Sequence, residues 1–290
     1  MISLCIKNNN KNLLNYLLNN ISDKPLENMI YTNRHFKLYD NIILHYKGKN
    51  IPEFYEYISN LLTNCILCFY EESMIYRLIS FNYFYFDDYE KKQIQENCKV
   101  LLAFDENREY TQRIDCMWTA ILKYITENKS ILLDGFVTFR LFDYISYLDS
   151  AVDSAVNKYI IDKEYIEFIH LLQAYIHSRP NQADSVHLIY MNGESILLDE
   201  QKNIIPVSNQ NLNAHFLSDI SFSSNDYALN TLLTLLPNTI IIHLIDKDDE
   251  FIHTLELIFG NHVHLCTDCN ICKTYQLLNT SFSSSKTHSP

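Results

Sequence analysis

Three thiols, Cys266, Cys269 and Cys272, follow a Cys-x2-Cys-x2-Cys spacing near the end of this 290-residue chain. Two intervening residues let the backbone turn between sulfurs, so that the side chains can converge on one ion or on part of a cluster. His262, His264 and Cys266 alternate just before the cluster, and side chains two apart on a strand share a face. His264 is therefore the expected fourth ligand, completing a Cys3His set of the kind that holds zinc. A ferredoxin-like iron cluster is less well served, because residues 273–276 supply no fourth cysteine. The plain alternative is three free thiols at the end of a domain, beside ordinary strand histidines.

Other groups read as structural. Cys65 and Cys68 also form a CxxC pair, but within an apolar run of helical period, where a thiol packs as a small hydrophobe. Cys5, Cys98 and Cys116 are isolated. Arg140 stands among phenylalanines on a helical segment, which predicts a buried guanidinium paired with Asp143, Glu164 or Glu167. The acidic pairs Asp87 with Asp88 and Asp248 with Asp249 fall where helices begin and favour the positive end of the helix dipole. Gly48, Gly135, Gly193 and Gly260 lie too far apart to cradle a phosphate, and neither HExxH nor GxSxG occurs. These absences favour a non-enzymatic protein, with catalysis as a further alternative.

The elements that would position the cluster follow from period and punctuation. Ile2 to Ile6 reads as a strand, Leu13 to Ile21 as a helix, and Met29 to Tyr46 as a hairpin turning near Tyr39 and Asp40. From Ile51 to about Arg179 the apolar spacing is helical, opened by Pro52 and stopped before Pro180. Val186–Tyr190 and Ser195–Leu198 then flank Asn192 and Gly193, a pair suited to a tight hairpin turn. A third strand is expected over 204–207. Ser224 and Asp226 open a helix ended by Pro237, Thr239 to Leu244 is a buried strand, and a helix capped by Asp246 runs to Gly260 before a strand over 262–265. Strand, helix and strand of that length make a βαβ-like unit, with the thiols at the carboxyl end of its last strand.

The fold class expected is thus α+β: a small N-terminal α/β element (1–48), a largely helical centre (50–180), a C-terminal α/β module with a hairpin and a βαβ-like unit (184–280), and a disordered Ser/Thr-rich tail (281–290). A net charge of −12, with no long basic run, opposes nucleic-acid binding. The uncharged stretch from Tyr227 to Ile245 is interrupted by Pro237 and Asn238, so no membrane span is expected, and no export signal opens the chain. A cytoplasmic setting follows, in which eight cysteines stay reduced.

A resemblance rests on scattered positions of the second half. Gly135, Phe136, Phe139, Arg140, Leu141 and Tyr144, then Ala151–Val156, then Glu164, Glu167, Phe168 and Ile169, with Val186–Ile189 and Ile196–Asp199 beyond, form one succession. Together with Thr239–His243, Phe259, Gly260 and the cysteine-rich end, it resembles the YtxC-like family of sporulation proteins from endospore-forming Firmicutes. The resemblance implies a cytosolic protein linked to spore formation, without an assigned catalytic residue. The expected function is therefore non-enzymatic and acts through a protein partner. The alternative is a metal-binding (zinc or iron) or redox module built on Cys266, Cys269, Cys272 and His264.

Overall fold

The computed structural model describes residues 1–36, 38–104, 112–206, 223–245 and 249–276. The chain divides into two compact units, Met1–Asp162 and Lys163–Pro290, each with its own apolar core.

Alternating burial organises the first unit. Strand β1 (Ile2–Asn8) turns Leu4 and Ile6 inward and pairs antiparallel with β3 (Asp40–Tyr46), whose Ile42 and Leu44 face the same core. Strand β2 (Met29–His35) completes the expected hairpin with β3. Helix α1 (Lys11–Asp23) is capped by the Asn10 side chain and buries Leu13, Leu14, Leu17 and Ile21, one stripe at helical spacing. Four helices follow: α2 (Ile51–Phe69), α3 (Glu71–Asn82), α4 (Asp88–Ala103) and α5 (Gln112–Glu127). Pro52 lies in the first turn of α2, and Asp87 with Glu90 forms a capping box on α4, as the acidic pair there suggested. Strand β4 (Ser130–Leu132) interrupts the segment read as helical and pairs parallel with β1, giving the order β2-β3-β1-β4. Three residues are too few to display a two-residue period. Helices α6 (Leu133–Arg140) and α7 (Phe142–His177) follow.

The second unit carries a mixed sheet of order β6-β5-β7-β8. Strands β5 (Ala183–Met191) and β6 (Glu194–Leu198) form the expected hairpin, with Asn192 and Gly193 at φ 56° and 77° in the tight turn. Ile204 makes only a single bridge to Leu198 where a third strand was expected, and Val207 lies outside the described residues. Helix α8 (Ser224–Leu235) opens on a capping box between Ser223 and Asp226. Strand β7 (Pro237–Leu244) then runs parallel to β5, and helix α9 (Glu250–Phe259) crosses to β8 (Val263–Cys266), parallel to β7. The βαβ unit is therefore present, and the protein is α+β. The cap of α9 is Asp249, whose carboxylate accepts from the amides of Phe251 and Ile252. Asp246 and Asp248 lie outside the described residues, as does the 281–290 tail. Among the described residues, no helix is long and apolar enough to cross a membrane.

The arginine expectation is corrected. Arg140 is exposed at the end of α6, and Phe139 and Phe142 beside it are 66% and 69% exposed, so this aromatic face points outward. Phenylalanines in a short helix do not themselves specify a buried face. The buried arginine is Arg113 on α5, whose Nε donates to Glu71 Oε2 at 3.2 Å, while the buried Tyr144 hydroxyl donates to the same oxygen at 2.5 Å. Burial, with the Glu71 carboxylate second, pushes the Tyr144 hydroxyl far above its usual range and keeps it a donor. Arg113→Leu should strip Glu71 of its counter-charge and cost about 3 kcal/mol. Arg140→Leu should melt as the wild type does. Chemical denaturation of both variants checks this contrast, and equal stabilities would contradict it.

Candidate metal centre

The thiols are positioned by the end of β8 and the turn beyond it. Cys266 closes β8, residues 267–269 bend the chain, and a helical segment over 270–276 carries Cys272 into the core, where it is fully buried. The Cys269 and Cys272 sulfurs lie 3.6 Å apart, and those of Cys272 and Cys266 3.9 Å apart. His243 Nδ1 approaches Cys269 Sγ at 3.3 Å and Cys272 Sγ at 3.5 Å. One ligand atom from each of His243, Cys266, Cys269 and Cys272 lies within 4.8 Å of every other.

These separations have the dimensions of a tetrahedral zinc site. Bonds of about 2.3 Å to sulfur and 2.0 Å to nitrogen place sulfurs roughly 3.8 Å from one another and nitrogen roughly 3.5 Å from sulfur. The four distances above fall within a few tenths of an ångström of these.

The structure brings Cys266, Cys269 and Cys272 together and leaves His264 out. His264 shares the strand of Cys266 but is exposed, and its ring is not among the donor atoms that lie within 4.8 Å of one another. The fourth corner is occupied by His243, because the parallel register sets His243 of β7 directly opposite Cys266 of β8. His262 turns away and hydrogen bonds the Asn238 carbonyl at 2.8 Å. Local spacing points along one strand, whereas the fourth donor sits on its neighbour. The available signal was a histidine at the carboxyl end of an isoleucine-rich buried strand, with a βαβ crossover leading to the thiols.

The electrostatics suit the ligand roles. His243 is 2% exposed, and burial, with His187 and Lys202 adding to it, lowers its pKa to about 4, so the ring stays neutral. Burial opposes ionisation of Cys269, yet the backbone amides of Cys272 and Ile271 and the neighbouring thiols outweigh it and hold this thiol below its ordinary range. Cys272 moves the other way, pushed up to about 12 chiefly by burial. A metal would have to displace that proton. Elsewhere Cys65 is buried with its thiol raised to about 12 by burial, as a packed cysteine should be, whereas its CxxC partner Cys68 is exposed.

The fold and site thus define an α+β protein with a Cys3His cluster at the carboxyl end of a parallel strand pair. The chain belongs to the YtxC-like family, whose model matches residues 56–264 and so includes His243 but stops short of the thiols. Among curated proteins it is similar to "Uncharacterized protein YtxC" of Bacillus subtilis (strain 168), 22% identical over 142 residues, which are 47% of this chain and 50% of that protein. The match therefore spans about half the length of that relative. No solved structure matches the chain.

The depressed pKa of His243 fixes the sign of a pH effect in the metal-free protein. The unfolded chain takes up a proton near the ordinary value of 6.5, and the folded one only near 4. Stability should be complete above that upper value and fall as pH drops through the interval, by up to about 3 kcal/mol. His187, also lowered by burial, acts in the same direction. Urea unfolding of chelator-treated protein at neutral and mildly acidic pH reads the effect, and His243→Gln should flatten it. A pH dependence unchanged by that substitution would contradict the assignment.

Proposed function

We propose that the protein is a non-enzymatic, sporulation-associated protein of the cytoplasm whose C-terminal unit is held together by a structural zinc ion on His243, Cys266, Cys269 and Cys272. The observation that carries this reading is the closed set of four donors. Catalytic zinc sites keep a position open for water or substrate, whereas structural ones fill all four corners with protein atoms. Three thiolates and an imidazole favour a borderline ion such as zinc over magnesium or calcium, and an iron site or a thiol redox module is the alternative chemistry of the same cluster. The family likeness supports the link to spore formation.

Metal content of protein purified anaerobically under reducing conditions tests the centre. About one zinc per chain is expected, lost in the triple Cys266→Ser, Cys269→Ser, Cys272→Ser variant together with a lower melting temperature. Protein without stoichiometric zinc or iron, whose triple variant melts like wild type, would reduce the cluster to ordinary thiols.

Action through a protein partner is favoured by a separate feature of the first unit. A groove of about 680 Å³ between α3, α6 and the start of α7 has Met74, Val137 and Ile145 among its lining residues, along with Arg77, Phe81 and Asp134. Arg77 makes no ion pair among the described residues, and Phe81 is 84% exposed. Asp134 accepts from the Tyr70 hydroxyl at 2.6 Å and from the buried Asn8 amide at 3.1 Å, which fixes its carboxylate. The occupant that suits this groove is an amphipathic segment with apolar anchors and an acidic residue for Arg77. Counts of heat-resistant spores test the partner and sporulation readings together. Arg77→Glu should lower them as far as deletion does while leaving protein level and melting unchanged. Unaltered counts in the deletion strain would end the sporulation reading, and unaltered counts in Arg77→Glu alone would end the groove's part in it.

A further inference from the structure

His243 has two ring nitrogens, and the zinc reading uses one. Nδ1 faces the sulfurs, while Nε2 lies 2.9 Å from Nδ1 of His187 on β5. The two rings are nearly parallel, at an interplanar angle of 16° with centroids 5.1 Å apart. The registers of β5 with β7 and of β7 with β8 produce this alignment: His187 lies opposite Ile241, two residues from His243, and His243 lies opposite Cys266. Side chains two apart on a strand share a face, so His187, His243 and Cys266 form a row across three adjacent strands.

A neutral imidazole carries one proton. If Nδ1 of His243 offers its lone pair to a metal, the proton must sit on Nε2, and a buried N–H needs an acceptor. His243 is 2% exposed, so water is a poor candidate, and His187 Nδ1 is the atom within reach. Resting on the zinc reading above, we infer that His187 is a positioning residue of the same centre, accepting the Nε2 proton of His243 through its own Nδ1 and so fixing the tautomer and ring orientation in which Nδ1 of His243 can bind metal. With the proton on the other nitrogen, His243 would donate to a thiolate and could not ligate. His187 is itself then confined to the tautomer protonated at Nε2. Hydrogen-bonded partners of this kind typically change metal affinity by about 10- to 100-fold.

The experiment uses full-length protein and zinc alone. Zinc affinity is measured by competition with a chromophoric chelator for wild type, His187→Leu and His187→Gln, with metal-free melting of each as a control. His187→Leu should weaken zinc binding by about 10- to 100-fold. His187→Gln, whose carbonyl can accept the same proton, should recover most of that loss, which a merely space-filling role would not predict. In zinc-loaded wild type, long-range proton–nitrogen correlations should show His187 protonated at Nε2 and bare at Nδ1. Equal zinc affinity in wild type and His187→Leu, or a His187 protonated at Nδ1, would overturn the inference while leaving the centre standing. Should His187→Leu fail to fold, the Gln variant and the wild-type tautomer still decide. A wild type that takes up no zinc would instead overturn the centre, and this inference with it.

Discussion

The parallel register between β7 and β8 is the constraint on which the C-terminal site depends. It sets His243 beside Cys266, and a shift of one residue would turn His243 toward the core in place of Ile240 and Ile242 and move those isoleucines to the other face. The register is held from the core side by those isoleucines packed with Ile252, Leu255 and Ile258 of α9. Apolar burial thus fixes on one face of the sheet what the polar row needs on the other. The crossover helix is fixed in turn, by Asp249 at its start and by Gly260 at φ 55° at its end.

The first unit places its polar groups by a different rule. Asn8, Glu71, Arg113 and Tyr144 are drawn from elements far apart in sequence, and these four side chains find hydrogen-bond partners in other side chains. Asn8 ends β1 and its amide nitrogen reaches both the Tyr70 hydroxyl and Asp134, tying the sheet to the start of α3 and α6. Tyr70, kept protonated by burial and by Asp134, remains a donor in this arrangement. These ties fix the helices that border the groove.

How far the chain was legible in advance follows from the range of the interactions involved. Hairpins and helix ends were readable because Asn192 with Gly193, Asp87 with Asp88, and Pro237 act on neighbours a few residues away. The α+β class and the βαβ unit followed from changes of period. Strand β4 was invisible because three residues hold no period, and its identity comes from pairing with β1, more than a hundred residues earlier. Arg140 and Arg113 exchanged roles because burial is decided by which helix face meets the core, which the phenylalanines near Arg140 did not specify. The three thiols were evident from local spacing. His243 was not, because the register between strands brings it to them, and neither was His187 behind it.

β8 is the outermost strand of its sheet, and it is only four residues long. On the proposed zinc reading, a ligand set that pins its last residue to β7 would also guard an edge. Were β8 to detach, the uncovered flank would be that of β7, a run of three isoleucines between Thr239 and His243, with free backbone amides and carbonyls and no charged gatekeeper. Such a flank is a template for pairing with another chain. On that same reading, the first consequence of an empty centre in a cell short of metal would be colloidal: self-association through β7, ahead of any loss of the hairpin or of the N-terminal unit.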